Sequence, residues 1–592
     1  MLMGLMTLRS GPGSRRKGAI MARKRAAILL GVVTLVLGAA SAALAAPPGG
    51  DTKVTVGSPR TMFPRNNQNE PGLAAALNAS RPTVLAAGAN EESDLEPCPR
   101  TPPEPPEIRC PFTPGVGVSG IYFSFDGGRS WTQPTYTGWT ARNGTPHVGP
   151  IETLPWYDEA GLVSGGDPSL AFGPRPGRHG FSWANGARLY YANLAANFPG
   201  RQTFNAQEAI AVSRTDDPAA AAAGVKRAWM RPVIASRQLN ANIFSANDNI
   251  WADNAASSRF FGNVYVCWTR FVGPSFTSSP IVIARSTDGG SSWSNPLKLS
   301  RSAATFLTGV QGCTIRTDSR GTVYVFWMDM QTARRGQQFM TRSFDGGRSF
   351  EPARPVADIV EVGKIDPVQG LFTFDGVAGA RTWDVPSVDV ANGAPSGRDA
   401  TDELVLAWSD GRRGLNREQA LVQTSTTRGR TWSAPVNAAQ SGDRPDFTAV
   451  AISPNGTDVY LTYDAFLTPW RPTTSSSRLM QGVVRHADVG TGGSLGGFAT
   501  LHRGSVGDAR ASSANSLGTE LIGDYNDAAA TRTFGAALWN DARDAAVCPA
   551  VNRYRQSLLT DHPLRAPWPL GACPPTFGNT DIFGGSYADP TP

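Results

Sequence analysis

The chain has 592 residues, more than one compact domain usually holds, so several domains or one repeat architecture are expected. Its formal net charge is +7, but seven of its 55 Lys and Arg residues precede residue 46, where there is no Asp or Glu. The 48 basic residues that follow balance the 48 acidic ones, which gives nucleic-acid binding no electrostatic support.

The first 45 residues have the features of a secretory signal peptide. Two basic clusters precede an apolar run from Ala26 to about Ala40, and a segment of small residues ends at Ala45. Met21 lies just before the second basic cluster, so a start at that residue predicts export as well. The apolar run is shorter than the roughly 20 residues that a membrane span needs. We therefore expect a secreted bacterial protein with no membrane span in the mature chain.

The six cysteines are an even number in a chain expected to meet an oxidising compartment. Cys98 and Cys110 flank a Pro-rich excursion, and Cys548 and Cys573 flank a similar one. The remaining pair, Cys267 and Cys313, would lie on successive repeats. None of the six has the Cys/His spacing of a zinc site, so the pattern predicts three disulfides.

Four segments share the pattern Ser-x-Asp-x-Gly-x-Ser/Thr-Trp, starting at Ser124, Ser286, Ser343 and Ser425. The third has Phe in place of Trp, and the fourth has Thr in place of Asp. In such a turn the Asp can accept backbone N–H bonds, the Gly can adopt positive φ, and the aromatic residue can pack into a sheet. The residues expected to build the turns are Asp126, Asp288, Asp345, Trp131, Trp293 and Trp432.

A second pattern occurs seven times: one strand-like segment followed by another rich in Val, Tyr and Trp. The first pair is NEPGLAAAL with TVLAAGANE, and the last is LIGDYNDAA with FGAALWNDARD. Seven pairs predict seven blades. Six blades are also compatible with the pattern, because strands from the two ends of the chain can complete one blade together.

The Ser-x-Asp-x-Gly segments resemble the Asp boxes, or BNR repeats, of sialidases and related β-propellers. This resemblance implies an all-β fold of four-stranded antiparallel blades. We expect a flexible segment at 46–60 and one propeller domain at 61–592. The box is a structural turn, and so the resemblance supports a fold more than an activity.

Antiparallel strand order places the start of the first strand and the end of the second at one end of each blade, and the repeated turns at the other. Acidic residues that begin the first strands should then surround one mouth: Glu70, Asp167, Asp248, Asp384, Asp446 and Asp524. Residues that end the second strands should lie around them: Arg270, Asp329, Asp410, Arg412, Asp464, Asp541 and Arg543. These charges either form local ion pairs or line a binding pocket.

For a sialidase-like enzyme, the resemblance implies arginines that clamp a sugar carboxylate, a Tyr nucleophile and an Asp general acid. Arg270, Arg412 and Arg543 are the candidate substrate-binding residues. Tyr525 is the candidate nucleophile, with Tyr463 second, and Asp384 and Asp167 are candidate catalytic acids. The chain lacks the Arg-Ile-Pro segment with which sialidases usually begin.

Two functions follow from this pattern. The first is a secreted, retaining glycosidase of the exo-alpha-sialidase type that removes terminal acidic sugars from a glycan or glycoconjugate, without a required cofactor. The second is a non-catalytic extracellular propeller that binds glycan or protein. A structural cation such as calcium could sit among the mouth carboxylates in either case. A monomer is expected.

Overall fold

The computed structural model describes residues 50–591, apart from 79–83, 102–107, 237–239, 274–276 and 303–306. The predicted signal peptide lies outside the described residues. Within them, no helix is both long and apolar enough to cross a membrane.

The strands are numbered in chain order, and the first seventeen are as follows: β1 (Thr52–Lys53), β2 (Gln68–Ala75), β3 (Leu85–Glu91), β4 (Ser119–Ser124), β5 (Tyr136–Thr140), β6 (His147–Ile151), β7 (Leu162–Ser164), β8 (Ser169–Gly177), β9 (Gly180–Asn197), β10 (Ala209–Thr215), β11 (Trp229–Ile234), β12 (Ile243–Ala252), β13 (Val264–Val272), β14 (Ile281–Ser286), β15 (Leu297–Lys298), β16 (Gly309–Thr317) and β17 (Val323–Met330). The remaining strands are β18 (Arg335–Ser343), β19 (Arg354–Val360), β20 (Lys364–Ile365), β21 (Phe372–Thr373), β22 (Ser387–Val390), β23 (Leu404–Asp410), β24 (Gln419–Ser425), β25 (Val436–Asn437), β26 (Arg444–Ile452), β27 (Asp458–Phe466), β28 (Leu479–Gly490), β29 (Ser494–Leu495), β30 (Ala499–Arg503), β31 (Gly507–Asp508), β32 (Asp527–Ala530), β33 (Phe534–Asp541) and β34 (Asp581–Ala588). The helices are α1 (Tyr157–Ala160), α2 (Pro218–Ala222), α3 (Pro549–Ser557) and α4 (Pro569–Ala572).

Seven antiparallel sheets form the blades of a β-propeller. Their innermost strands contact one another in a closed ring, in the order β2, β8, β12, β16, β22, β26, β32 and back to β2. Each predicted strand pair supplies the first two strands of one blade, from β2 and β3 to β32 and β33. The all-β fold and the seven blades are therefore confirmed, and the six-blade alternative is wrong.

The second strand of each blade is apolar along its length because neighbouring blades cover both of its faces. Four of these strands carry a tryptophan at the same place, and each of these side chains is under 2% exposed: Trp268, Trp327, Trp408 and Trp539. Such large buried side chains contribute much of the apolar area that holds adjacent blades together.

Hydrogen bonds between neighbouring blades join the innermost strands. In blade 2 the Ser169 hydroxyl accepts the backbone N–H of Ile250 in blade 3 at 3.0 Å. Asn249 of blade 3 accepts the N–H of Ile315 in blade 4, also at 3.0 Å. Equivalent bonds link blade 5 to blade 6 and blade 7 to blade 1. Small polar residues in the first strands therefore satisfy backbone groups that the sheets leave free.

Blade 7 is completed by the start of the described chain. Thr52 and Lys53 lie within the segment 46–60, and they pair with Gly584 and Phe583 of β34. Just before them, Asp51 contacts Arg543 at 2.7 Å. Strands from both ends of the chain thus share one sheet and close the ring.

The repeated turns lie at the end of the blades opposite the starts of the first strands, because Ser124 pairs with Leu85, the first residue of β3. In the first turn, one Asp126 oxygen accepts the N–H of Arg129 and of Ser130, each at 3.0 Å. Gly128 has φ of 87°. The turns around Asp288 and Asp345 repeat these bonds.

The three predicted disulfides, Cys98–Cys110, Cys267–Cys313 and Cys548–Cys573, all form. The described residues that border the first Pro-rich excursion pack against the second at the other end of the propeller. The Trp568 indole N–H donates to the Cys98 carbonyl oxygen at 3.3 Å, and both excursions join one apolar cluster with Leu517. They build a second layer beside the segment that leads to Tyr525.

Candidate active site at the axial mouth

The central channel opens where the innermost strands begin. The cavity at this end has an open volume of about 740 Å³ and is lined by residues from all seven blades, among them Asp248, Trp383 and Tyr525. We call this opening the axial mouth and define it by Glu70, Asp167, Asp248, Arg381, Trp383, Asp524 and Tyr525.

A repeated backbone irregularity aims side chains into the axial mouth. Glu70, Asn247 and Phe447 lie within three of the first strands, Asp167 lies just before a fourth, and all have φ between 52° and 58°. In blades 1, 3 and 6 a register shift of the first strand accompanies this left-handed residue. Such bulges bend a strand and redirect its side chains. The bulges turn carboxyl groups toward the axis. A regular strand would hold these groups between blades.

Glu70 and Asp167 form a coupled pair. Their carboxyl groups lie side by side, and burial raises the pKa of both. The Asn90 amide holds the pair in place: its Nδ2 donates to Glu70 at 2.8 Å, and its oxygen accepts the Asp167 N–H at 2.9 Å. Burial, and then the charges of Asp524 and Asp167, raise the pKa of Glu70 well above its usual range.

Arg381 provides a positive charge at the axial mouth, and it is engaged by Asp524. Its Nε and one terminal nitrogen bind the two Asp524 oxygens at 2.6 and 2.5 Å. The same terminal nitrogen lies 3.8 Å from a Glu70 oxygen. Bidentate pairs of this kind fix the orientation of both side chains. Arg381 therefore anchors Asp524 beside Glu70.

Asp248 differs from the other carboxyl groups of the axial mouth. Both of its oxygens are enclosed and have no hydrogen-bond partner in the part of the chain that the structure describes. Burial, and then the charge of Asp167, raise its pKa well above the usual range. A carboxyl group in this setting keeps its proton at neutral pH and can donate it to a bound molecule.

Tyr525, the predicted nucleophile, lines the same cavity and lies near Asp167, as expected. Burial raises the pKa of its hydroxyl well above the usual range, and the surrounding carboxylates raise it further. This environment keeps the hydroxyl protonated. Tyr463, the second candidate, is fully buried between blades and donates to Asp443 at 2.8 Å.

Asp384 belongs to a different carboxyl cluster. Burial, and then the charges of Glu361 and Asp446, raise its pKa well above the usual range. One Asp384 oxygen accepts the N–H of Val362 at 3.2 Å. The structure thus brings Tyr525 and Asp167 together and places Asp384 in another group.

Two of the three predicted substrate-binding arginines form local ion pairs. Arg412 binds both oxygens of Asp410 at 2.6 and 2.9 Å. Arg543 binds Asp541 and Asp51, each at 2.7 Å. In both blades a Trp, an Asp and an Arg at alternate positions form one motif, because the indole N–H donates to the same Asp. Their role as substrate ligands stays a prediction.

Arg270 differs from these two. It is half-buried near the mouth end of β13, burial lowers its pKa, and its Nε has no hydrogen-bond partner. Among the described residues no carboxylate lies within ion-pair distance of it. Arg381, Trp383 and Asn90 were not predicted as site residues. Arg381 lies in the irregular segment between β21 and β22, outside the predicted strand pairs. Trp383 opens the fifth predicted strand pair and directly precedes the predicted Asp384.

Solved structures similar to this chain include glycosidases. A Hadza microbial sialidase is 13% identical, with a TM-score of 0.38, over 67% of this chain and 63% of that one. The NanB sialidase of Streptococcus pneumoniae is 10% identical, with a TM-score of 0.36, over 68% and 66% of the two chains. An α-L-arabinofuranosidase of Fusarium graminearum is 15% identical, with a TM-score of 0.27, over 55% and 90%.

The chain thus spans less than two thirds of the length of either sialidase. No protein-family model matches the chain, and no curated protein matches it.

Proposed function

We propose that the chain is an exported glycoside hydrolase whose active site is the axial mouth and whose substrate is an uncharged terminal sugar. The observation that carries this proposal is Asp248, a buried and unpartnered carboxyl group beside the pair of Glu70 and Asp167. Glycoside hydrolysis needs two carboxyl groups in opposite protonation states.

In this proposal Asp248 is the general acid. Burial keeps its proton in place until a glycosidic oxygen arrives, and the oxygen takes that proton as the bond to the sugar breaks. Glu70 and Asp167 carry one negative charge between them, and that charge acts on the other side of the sugar as a base or a nucleophile. Arg381, fixed by Asp524, is a positioning residue because it lies beside Glu70.

The charge of the axial mouth favours an uncharged sugar over an acidic one. Arg381 is neutralised by Asp524, Asp248 holds a proton, and the Glu70 and Asp167 pair leaves one net negative charge. A sugar carboxylate would meet repulsion there instead of an arginine clamp. Arg412 and Arg543, two of the three arginines expected to supply the clamp, are each occupied by a carboxylate of their own blade. Arg270, the third, is not among the residues that line the cavity.

A second candidate function is sugar binding without hydrolysis. The observation that favours it is the fixed hydrogen-bonding surface around Asn90, which holds Glu70 and Asp167 in one geometry. The protonated Tyr525 hydroxyl could donate to a sugar oxygen in the same site. Rigid, converging polar groups of this kind suit the recognition of sugar hydroxyls.

The test is a panel of fluorogenic aryl glycosides of xylose, arabinose, galactose, glucose and sialic acid. The variants are Asp248→Asn and Asp253→Asn. Asp253 is the matched control because it directly follows β12, the strand that carries Asp248, and is also a buried carboxyl group with an unpartnered oxygen. It lies at the far end of that strand.

We expect hydrolysis of at least one uncharged glycoside, lost in Asp248→Asn and kept in Asp253→Asn. Asp248→Asn should retain more activity on a dinitrophenyl glycoside, whose leaving group needs no proton. Release of the sialoside alone would support the exo-alpha-sialidase prediction and contradict the uncharged substrate. Saturable binding of a sugar with no turnover of any glycoside would favour the binding propeller.

A further inference from the structure

A second group of ionisable side chains lies at the end of the propeller opposite the axial mouth. Asp458 begins β27, and it pairs across the sheet with Asp488 of β28. His486 lies two residues before Asp488 and so points to the same face of blade 6. Asp589 directly follows β34 and brings a third carboxyl group from blade 7. We call these four residues the rear cluster.

The donor atoms of the rear cluster converge on one point. One ligand atom from each of the four residues lies within 4.8 Å of all the others. The His486 Nε2 atom is 3.2 Å from an Asp458 oxygen and 3.9 Å from an Asp488 oxygen. Four ligands at about 2.0 Å from a tetrahedral metal are roughly 3.3 Å apart. The spacing between His486 and Asp458 is near this value, and Asp488 and Asp589 would move closer to reach it.

No basic side chain neutralises the three carboxyl groups. Among the described residues, no Lys or Arg lies within ion-pair distance of Asp458, Asp488 or Asp589. The Asp458 carboxylate is buried, and the Asp488 carboxylate beside it is largely exposed.

Tyr460 packs beside the rear cluster. Its side chain is 1% exposed. Its ring lies 5.0 Å from the His486 ring, centroid to centroid. Tyr460 therefore helps to fix the orientation of the His486 imidazole.

We propose that the rear cluster binds one divalent transition-metal ion, with Zn²⁺ as the first choice. Imidazole favours zinc and its neighbours in the periodic table, whereas calcium sites are built from oxygen ligands alone.

The metal would join two blades. Asp458, His486 and Asp488 belong to blade 6, whereas Asp589 follows the third strand of blade 7. The Thr591 hydroxyl already donates to Asp488 and Asp589 in the same place. A bound ion would therefore hold the segment after β34 against blade 6. This site is independent of the axial mouth and of any activity there.

The experiment measures metal content of the purified protein by mass spectrometry, and binding of Zn²⁺, Mn²⁺ and Ca²⁺ to the chelator-treated protein by calorimetry. The variants are His486→Ala and Asp488→Asn. Their matched controls are His562→Ala and Asp561→Asn. These two residues are adjacent to each other in the sequence, are exposed and lie outside the rear cluster.

We expect one Zn²⁺ per chain, a rise in Tm that saturates at one equivalent, and at least tenfold weaker binding in His486→Ala and Asp488→Asn but not in the controls. Because Asp488 is largely exposed, Asp488→Asn should fold even if His486→Ala does not. The proposal is overturned by Zn²⁺ binding that Asp488→Asn leaves unchanged, by the absence of Zn²⁺ and Mn²⁺ binding, or by binding of Ca²⁺ alone.

Discussion

Carboxyl groups at the two ends of the propeller have opposite surroundings. In the repeated turns, burial acts to raise the pKa of Asp345, but hydrogen bonds from the N–H groups of Arg348 and Ser349 and from two hydroxyls together lower it to about 2. At the axial mouth, Asp248 accepts none among the described residues, and burial raises its pKa.

This contrast separates structural from chemical roles for one residue type. A carboxylate whose oxygens are satisfied by its own turn stabilises a local conformation and has little capacity left for a ligand. A buried carboxyl group without partners costs free energy in the folded protein, and such costs concentrate at functional sites. The turns therefore identify the scaffold, and the axial mouth is where binding or catalysis is expected.

The largest expected effect is on catalysis. Asp248→Asn should lower kcat/KM on an uncharged aryl glycoside by roughly 10²- to 10⁴-fold, the range for loss of a general acid. The same change in the turn, Asp345→Asn, should leave kcat/KM within about twofold because the turn lies at the far end of the blade. Steady-state kinetics at neutral pH measures both. Equal losses in the two variants would break the distinction between the two ends.

The next effect concerns the buried charges behind the axial mouth. Arg478 is fully buried, 2.6 Å from Glu520 and 3.7 Å from Asp375. Arg478→Met should lower the free energy of unfolding by about 3–5 kcal/mol, because it leaves carboxylates buried without their partner.

The control for Arg478→Met is Arg60→Met, since Arg60 is 67% exposed in its ion pair with Asp544. Its removal should change the free energy of unfolding far less, because exposed ion pairs contribute little. Urea denaturation measures both variants. A loss in Arg478→Met as small as that in Arg60→Met would show that Glu520 and Asp375 do not depend on this arginine.

The fold was predictable because its signals are local and repeated. Strand pairs with apolar second strands occur once per blade, and the turn around Asp126 needs only residues that are close in sequence. The disulfides followed from even cysteine number and from Pro-rich segments between paired cysteines. Each blade repeats one pattern, so a weak copy can be recognised from its position between strong ones.

The candidate site was predictable only in part because it depends on contacts between distant residues. The mouth carboxylates followed from strand direction, but which of them lie side by side depends on Asn90 in another strand. Arg412 and Arg543 stand at the expected end of their strands. Each lies two residues after an Asp, so its side chain is on the same side as that Asp and pairs with it. Arg381 comes from an irregular segment, where no repeated sequence pattern indicates that it pairs with Asp524 of blade 7.

A smaller effect should appear in the turns. Asp345→Ala removes a charged acceptor with four hydrogen bonds and should cost about 1–3 kcal/mol. Thr427 stands in place of Asp in the fourth turn and accepts the Thr431 N–H at 2.8 Å through a neutral hydroxyl. Thr427→Ala should therefore cost less, about 1 kcal/mol or below. Chemical denaturation compares the two, and a larger loss for Thr427→Ala would contradict the role of the charge.

The two kinds of carboxyl group should also respond to pH in opposite directions. The pKa of Asp345 is lower in the folded protein, about 2 against 3.8, so its stabilisation is present above pH 4 and is lost as the pH falls through this window. Glu92, at the mouth end of blade 1, has a pKa raised to about 8 by burial, although a hydrogen bond from Asn515 opposes the rise. Its folded form keeps a proton that the unfolded chain releases near pH 4.5, so stability should fall as the pH rises toward 8.

Glu92→Gln removes this titration while keeping the shape of the side chain. Between pH 6 and pH 7, the parent should lose about 1 kcal/mol relative to the variant, which is the free energy of one pKa unit. Asp345→Asn should show no such divergence there, because Asp345 is ionised in both states. Thermal denaturation at several pH values measures the two differences. If Glu92→Gln and the parent have parallel profiles from pH 5 to pH 8, Glu92 is charged in the folded protein, and the contrast between the two ends does not extend to the border of the axial mouth.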